Sequence, residues 1–256
     1  MIRRWLHAFL VGMLVLLGSS HAVAVLPETI ERVKPSVVVV GTFNKLRSPQ
    51  FVMRGTGFAV RDGSLIVTNA HVISRPERGD TPETLMVLTR NGSEVRPQEV
   101  HLLVSDVEHD LAVLRMAGPP LPALTLRPSE SVREGQAVAF TGFPIGGALG
   151  FSPVTHRGII SSITPIVLPG GNARELKDKS IRRLRSGAFP IFQLDATAYP
   201  GNSGGPLYDA ESGEVLGVIN MVFVKATKEA ILEKPSGISY AIPAGFLLEL
   251  LGTIKP

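Results

Sequence analysis

In the segment Tyr199 to Leu207, YPGNSGGPL, a serine stands between Gly201-Asn202 and Gly204-Gly205. Glycine tolerates positive φ and has no Cβ, so such a loop can bend sharply and present backbone N–H groups to an anion. Ser203 is therefore a candidate nucleophile, with an oxyanion hole built on the Gly201-Asn202-Ser203 turn through the N–H groups of Gly201 and Ser203. The alternative is a glycine-rich turn with an incidental hydroxyl. A serine hydroxyl reacts only when a base removes its proton. Beyond residue 24 the chain offers four histidines, His71, His101, His109 and His156. His71 follows the run SLIVT in Thr68-Asn69-Ala70-His71-Val72, a strand end from which a rigid element can aim a ring into a cleft. The competing reading of His71 is a satisfied core histidine beside small residues. His101 and His156 stand among polar neighbours and read as surface or strand-edge positions. His109 adjoins Asp110, but the apolar continuation Leu111-Ala112-Val113-Leu114 puts Asp110 at the mouth of a buried strand. A carboxylate there is costly unless paired, and an imidazole N–H is its natural partner.

These residues need a scaffold, and the composition limits which one. The chain has 256 residues, 44% hydrophobic and 19% charged, with 26 Gly and 20 Pro, which excludes a disordered chain, a coiled coil and a collagen-like fibre. There is no Cys, hence no disulfide framework, thiol nucleophile or thiolate zinc site. A net charge of +4 does not demand nucleic-acid binding. The dominant local signal is a short β-branched run bounded by turn residues: 36–41, 55–60, 64–68, 84–88, 111–114 and 137–141, then 154–163, 191–194, 215–224 and 238–242. So many short strands predict an all-β sandwich or a pair of barrels. Helical pattern is confined to 28–34, stopped by Pro35, and 244–251, begun after Pro243. Between the two strand sets, GPPLPALTLRP at 118–128 carries four prolines and reads as an extended crossover. The organisation expected is a leader at 1–24, an N-terminal β unit at 25–117, the crossover, and a C-terminal β unit with a terminal helix at 129–256.

The leader reading rests on Arg3-Arg4, the apolar run Ala8 to Leu17 and the small-x-small pattern Ala22-Val23-Ala24, the layout of a secretory signal peptide cleaved after Ala24. The alternative is an uncleaved membrane anchor, although the apolar run falls short of the roughly 18–20 residues that span a bilayer. Removal of residues 1–24 takes away two Arg and no acid. An exported chain without Cys must be held together by packing alone.

Taken together, TNAHV (68–72), HDLAVL (109–114) and GNSGGPL (201–207), in the order His, Asp, Ser, resemble the trypsin-like serine proteases of the HtrA/DegP type. The likeness extends to Gly55-Thr-Gly-Phe58, Gly142-Phe-Pro144, Gly158-Ile-Ile-Ser161 and Gln193-Leu-Asp-Ala196, and so covers essentially the whole chain after the leader. It implies two packed six-stranded antiparallel barrels with the site between them. It also implies His71 as base, Asp110 as orienting carboxylate and Ser203 as nucleophile of an exported endopeptidase acting on unfolded or flexible polypeptides, with no metal or organic cofactor. The rival is a chaperone-like or peptide-binding module that keeps the fold without turnover. The resemblance further places a substrate pocket at Thr197, at Asn220-Met221-Val222 and at Ile238. None of these is charged, so an unpaired Lys or Arg would be costly there and small aliphatic side chains are favoured.

Two departures accompany the likeness. The chain ends at Pro256, directly after the second β unit, where HtrA-like proteases usually carry PDZ domains. Little of a trimer-forming segment precedes the first barrel, so a monomer is expected, with no nucleic-acid partner and no stable membrane insertion once the leader is removed. A segment at 169–190 holds Arg174, Lys177, Lys179, Arg182, Arg183 and Arg185. It reads as a solvated face, a regulatory loop or a contact for polyanions or anionic lipid.

Overall fold

The computed structural model describes residues 26–74, 83–92, 94–147, 151–166, 189–220 and 238–254. Six strands, β1 (Val37–Phe43), β2 (Phe51–Val60), β3 (Leu65–Thr68), β4 (Thr84–Asn91), β5 (Glu94–Asp106) and β6 (Leu111–Met116), close into a barrel in the order β1-β2-β3-β6-β5-β4. A second barrel, ordered β10-β11-β12-β9-β8-β7, is built from β7 (Ala137–Gly142), β8 (Val154–Ile166), β9 (Phe189–Asp195), β10 (Pro206–Asp209), β11 (Val215–Asn220) and β12 (Ile238–Pro243). The ladders are antiparallel throughout both barrels. Among the described residues there are three α-helices, α1 (Leu26–Val33), the single turn α2 (Ala70–Ile73) and α3 (Ala244–Gly252), and three short 3-10 turns at Lys34–Ser36, Ser129–Ser131 and Pro144–Gly147. Among the described residues no helix is long and apolar enough to cross a membrane.

The run SVVVVG forms β1 because both faces of that strand are dry. Side chains alternate across a strand. Val38 and Val40 join Ala59, Ile66, Val87 and Leu114 in a core made only of first-barrel residues. Val37 and Val39 face the other way, into a seam with Phe58, Val67 and Val113 that also takes in Ala139, Tyr208 and Val215 of the second barrel. The second barrel has its own interior of Val138, Phe140, Phe192, Leu207 and Ile219. A fully buried aliphatic or aromatic side chain contributes about 1.5–3 kcal/mol. The continuous seam therefore packs the barrels together with no disulfide between them.

Two strands escape the sequence pattern. β5, EVRPQEVHLLVSD, is largely exposed and polar, so it lacks the apolar signature of its partners. β10 begins at the last two residues of the GNSGGPL segment, where chemistry rather than periodicity draws the eye. The proline-rich stretch after β6 runs extended and stitches the barrels in turn: Leu124 N–H donates to Ala59 O at 2.9 Å, and Arg127 N–H donates to Val215 O at 2.9 Å.

Candidate active site

His71 sits on α2, the one-turn helix that follows β3, rather than on the strand end itself. Its ring Nδ1 lies 2.6 Å from Asp110 Oδ2, and its backbone N–H donates to Asp110 Oδ1 at 2.8 Å. A carboxylate only accepts, so Nδ1 carries the proton and Nε2 is left as the basic nitrogen. Asp110 has φ +54°, in the left-handed region that Asp tolerates better than most residues. Its carbonyl accepts Ala70 N–H at 3.1 Å and Asn69 Nδ2–H at 3.0 Å, which holds the turn in that conformation. The Asp110 side chain is 15% exposed and that of His71 34%, so the pair lies at the edge of a cleft.

The serine loop comes from the second barrel and is placed by its backbone. Asn202 N–H donates to Tyr199 O at 3.0 Å, Gly204 N–H to Ile219 O at 2.9 Å and Gly205 N–H to Asn202 O at 2.9 Å. Among the described residues the N–H groups of Gly201 and Ser203 have no intramolecular acceptor. Those two amides are available to an anion. The Asn202 N–H, by contrast, is used to close the turn on Tyr199. Gly201 has φ +104°, and a side chain there would run into Phe143 O.

The two halves meet at Gly55. A Cβ at that position would lie 2.7 Å from Val72 Cγ2 and 2.8 Å from Ser203 O, so the helix bearing His71 and the serine loop rest on the same point of β2. Ser203 is 5% exposed. Among the described residues its hydroxyl makes no hydrogen bond to His71 Nε2; in substrate-free sites this contact is commonly loose and tightens on binding.

The remaining histidines separate cleanly. His109 Nδ1 lies 2.6 Å from Asp106 Oδ2, and its ring stacks on Phe246 with centroids 4.0 Å apart. It braces the turn that delivers Asp110. His101 is exposed on β5. His156 stacks on Phe140 at 4.8 Å, and burial pushes its pKa below the ordinary value, so it is kept neutral.

Of the expected pocket residues, Thr197 is half-buried in the approach to the serine loop. Ser239 Oγ braces this stretch, donating to Ala196 O at 2.7 Å and accepting Ala198 N–H at 2.8 Å. Asn220, at the end of β11, turns its side chain to the first barrel: its Nδ2 donates to Asp110 Oδ2 at 2.7 Å. The second barrel thus supplies a hydrogen bond to the carboxylate of the first. A polar residue closing the buried strand VLGVIN was the one available signal for this contact. Met221, Val222, the Ile238 side chain, the leader and nearly all of the basic 169–190 segment lie outside the described residues.

Two closed antiparallel barrels, with a His–Asp pair from one and a glycine-bracketed serine from the other, define a chymotrypsin/trypsin-like architecture. The trypsin-like peptidase domain matches residues 55–218, so this chain belongs to that family, and it is similar to proteases of the HtrA/DegP type. A "Probable periplasmic serine endoprotease DegP-like" of Halomonas elongata is 31% identical over 201 residues, 78% of this chain and 35% of that protein. "Serine protease HTR4" of Bos taurus is 32% identical over 230 residues, 87% of this chain and 40% of that protein. The solved structure "HtrA-type protease AlgW with tripeptide" superposes with a TM-score of 0.64 at 26% identity, covering 90% of this chain and 63% of that one. The chain thus spans little more than a third of the length of the curated relatives it matches.

Proposed function

We propose that this chain is an exported serine endopeptidase that cleaves unfolded or flexible polypeptides. The observation that carries the reading is the 2.6 Å contact between His71 Nδ1 and Asp110 Oδ2, which leaves Nε2 as the basic nitrogen. In the cycle, Nε2 takes the Ser203 hydroxyl proton as Oγ bonds to the substrate carbonyl carbon. The N–H groups of Gly201 and Ser203 stabilise the resulting oxyanion, and Asp110 stabilises the imidazolium. Collapse breaks the C–N bond as His71 protonates the leaving amine, leaving an acyl-enzyme. Water, deprotonated by Nε2, then attacks the ester, and Ser203 recovers its proton from the imidazolium.

The periplasmic naming of the relatives and the layout of residues 1–24 support export with cleavage after Ala24. The uncharged residues expected around the primary pocket support cutting after Val, Ala, Ile or Leu rather than after charged side chains. A fluorophosphonate probe applied to the folded protein tests the reading directly. One covalent adduct on Ser203, with casein cleavage lost in parallel, is the expected result. A folded protein that takes no adduct and cuts nothing would instead be a non-catalytic binding module.

A further inference from the structure

The N–H of Gly201 can hold an oxyanion only if the peptide planes on both sides of it are kept from turning over. Each of those planes is held at its carbonyl end. Pro200 O accepts Ile145 N–H at 2.7 Å, and a planar trans peptide directs its N–H opposite to its C=O, so fixing that carbonyl aims the Gly201 N–H. Gly201 O accepts the Thr56 hydroxyl at 2.7 Å. The same oxygen, Thr56 Oγ1, accepts Phe143 N–H at 3.1 Å. Thr56 N–H donates to Ser203 O at 2.8 Å, and Thr56 O accepts the Thr68 hydroxyl at 2.7 Å. Thr56 is 0% exposed, and all its polar groups are engaged, two of them on the serine loop.

Ile145 is the second unusual member. It has φ +59°, a conformation that a β-branched side chain adopts only under constraint, and at 40% exposure it recovers little by burial. The segment that holds it there begins at Phe143, which is 1% exposed in the seam between the barrels. The backbone N–H groups of Phe143 and Ile145 are thus both spent on the clamp.

We propose that Thr56 and Ile145 are positioning residues for the oxyanion hole, clamping the peptides before and after Gly201 so that its N–H faces the reacting carbonyl. The proposal rests on the endopeptidase reading, and it gives the Gly55-Thr-Gly-Phe58 and Gly142-Phe-Pro144 segments a task in catalysis. Thr56→Val keeps the shape but leaves Gly201 O and Phe143 N–H unpaired, so the Gly201–Asn202 peptide is held only at its other end, by the Asn202 N–H on Tyr199 O. Thr56→Ser keeps the hydroxyl.

The test measures kcat and KM on a fluorogenic peptide, inhibition by a matching peptide aldehyde whose adduct carries an oxyanion, and melting temperature. For Thr56→Val the expected result is a kcat lower by about 100-fold with KM within about twofold, and aldehyde affinity lost in proportion to kcat. Thr56→Ser should restore activity to within about threefold of wild type. If Thr56→Val does not fold, Thr56→Ala set against Thr56→Ser makes the same comparison. An active wild type alongside a Thr56→Val variant whose kcat falls less than threefold, or a Thr56→Ser variant as impaired as Thr56→Val, overturns the clamp alone. A wild type that takes neither fluorophosphonate nor substrate overturns the clamp together with the reading beneath it.

Discussion

The two barrels hold their shares of the site by different means. The first uses side chains: Asp110 receives His71 through both ring and backbone, at 2.6 and 2.8 Å, on a turn fixed by Asn69 and Ala70. The second uses backbone: the serine loop is placed by carbonyl and amide bonds to Tyr199, Ile219, Ile145 and Thr56, and its two useful N–H groups have no internal acceptor among the described residues. A side-chain pair tolerates small movements of the chain, because rotamers can follow. A set of peptide planes does not, because one rotated plane replaces an N–H with a C=O. The acid–base half should therefore fail through loss of a particular group, and the oxyanion half through loss of a support.

The largest break should come where the halves meet. Ser203→Ala should lower turnover by about four orders of magnitude or more while the melting temperature stays close to wild type, since residues acting as one unit fail together. Turnover of casein or a fluorogenic peptide, alongside thermal melting, checks this. Equal activity in the two proteins would put the chemistry elsewhere.

Breaking the side-chain half alone should cost somewhat less. Asp110→Asn keeps the shape but sets an amide N–H against the His71 Nδ1–H, forcing the wrong tautomer, and turnover should fall by roughly 10³–10⁴-fold. If activity survives Asp110→Asn, the carboxylate is only structural.

The 2.7 Å bond from Asn220 Nδ2 to Asp110 Oδ2 is a side-chain hydrogen bond by which the second barrel reaches into this half. Asn220→Ala should lower kcat by about tenfold, the scale of one hydrogen bond to a charged group, with KM little changed. An unchanged kcat would separate the two barrels at this point.

The smallest expected effect sharpens the comparison without touching chemistry. Burial holds the His156 pKa below its ordinary value of about 6.5, so the unfolded chain binds the proton more readily than the folded one. The resulting stability is fully present above pH of about 6.5 and is lost as pH falls below it toward the folded pKa. His156→Phe keeps the stack on Phe140 and should flatten the slope of melting temperature against pH in that window. Equal slopes in wild type and variant would mean that His156 titrates alike in both states.

Much of this was legible in the chain because it is written in local patterns. The run SVVVVG announces a strand dry on both faces, and the Gly-bracketed Ser203 announces a backbone-lined loop. Other features escaped for identifiable reasons. β5 faces water along most of its length and so carries no apolar period. His71 falls just past its strand because Asn69 and Ala70 turn the chain there onto the carbonyl of Asp110, a residue 40 positions away.

By itself the sequence determined the residue types, their order and the alternation that builds two barrels, since each follows from covalent neighbours and from which side chains avoid water. Only the tertiary structure decided which groups face one another. Of the four histidines beyond residue 24, one meets Asp110, one Asp106, one the Phe140 ring and one solvent, and none of these partners is written beside it in a local pattern except Asp106. Asn202, Gly201 and Ser203 offer three equivalent N–H groups in sequence, and the fold spends the first on Tyr199 while leaving the others open. Asn220 reaches Asp110 across 110 residues. Hydrogen bonds act over about 3 Å and their partners here come from separate strands of two barrels, so partner choice depends on the packing of the seam, which no local pattern encodes.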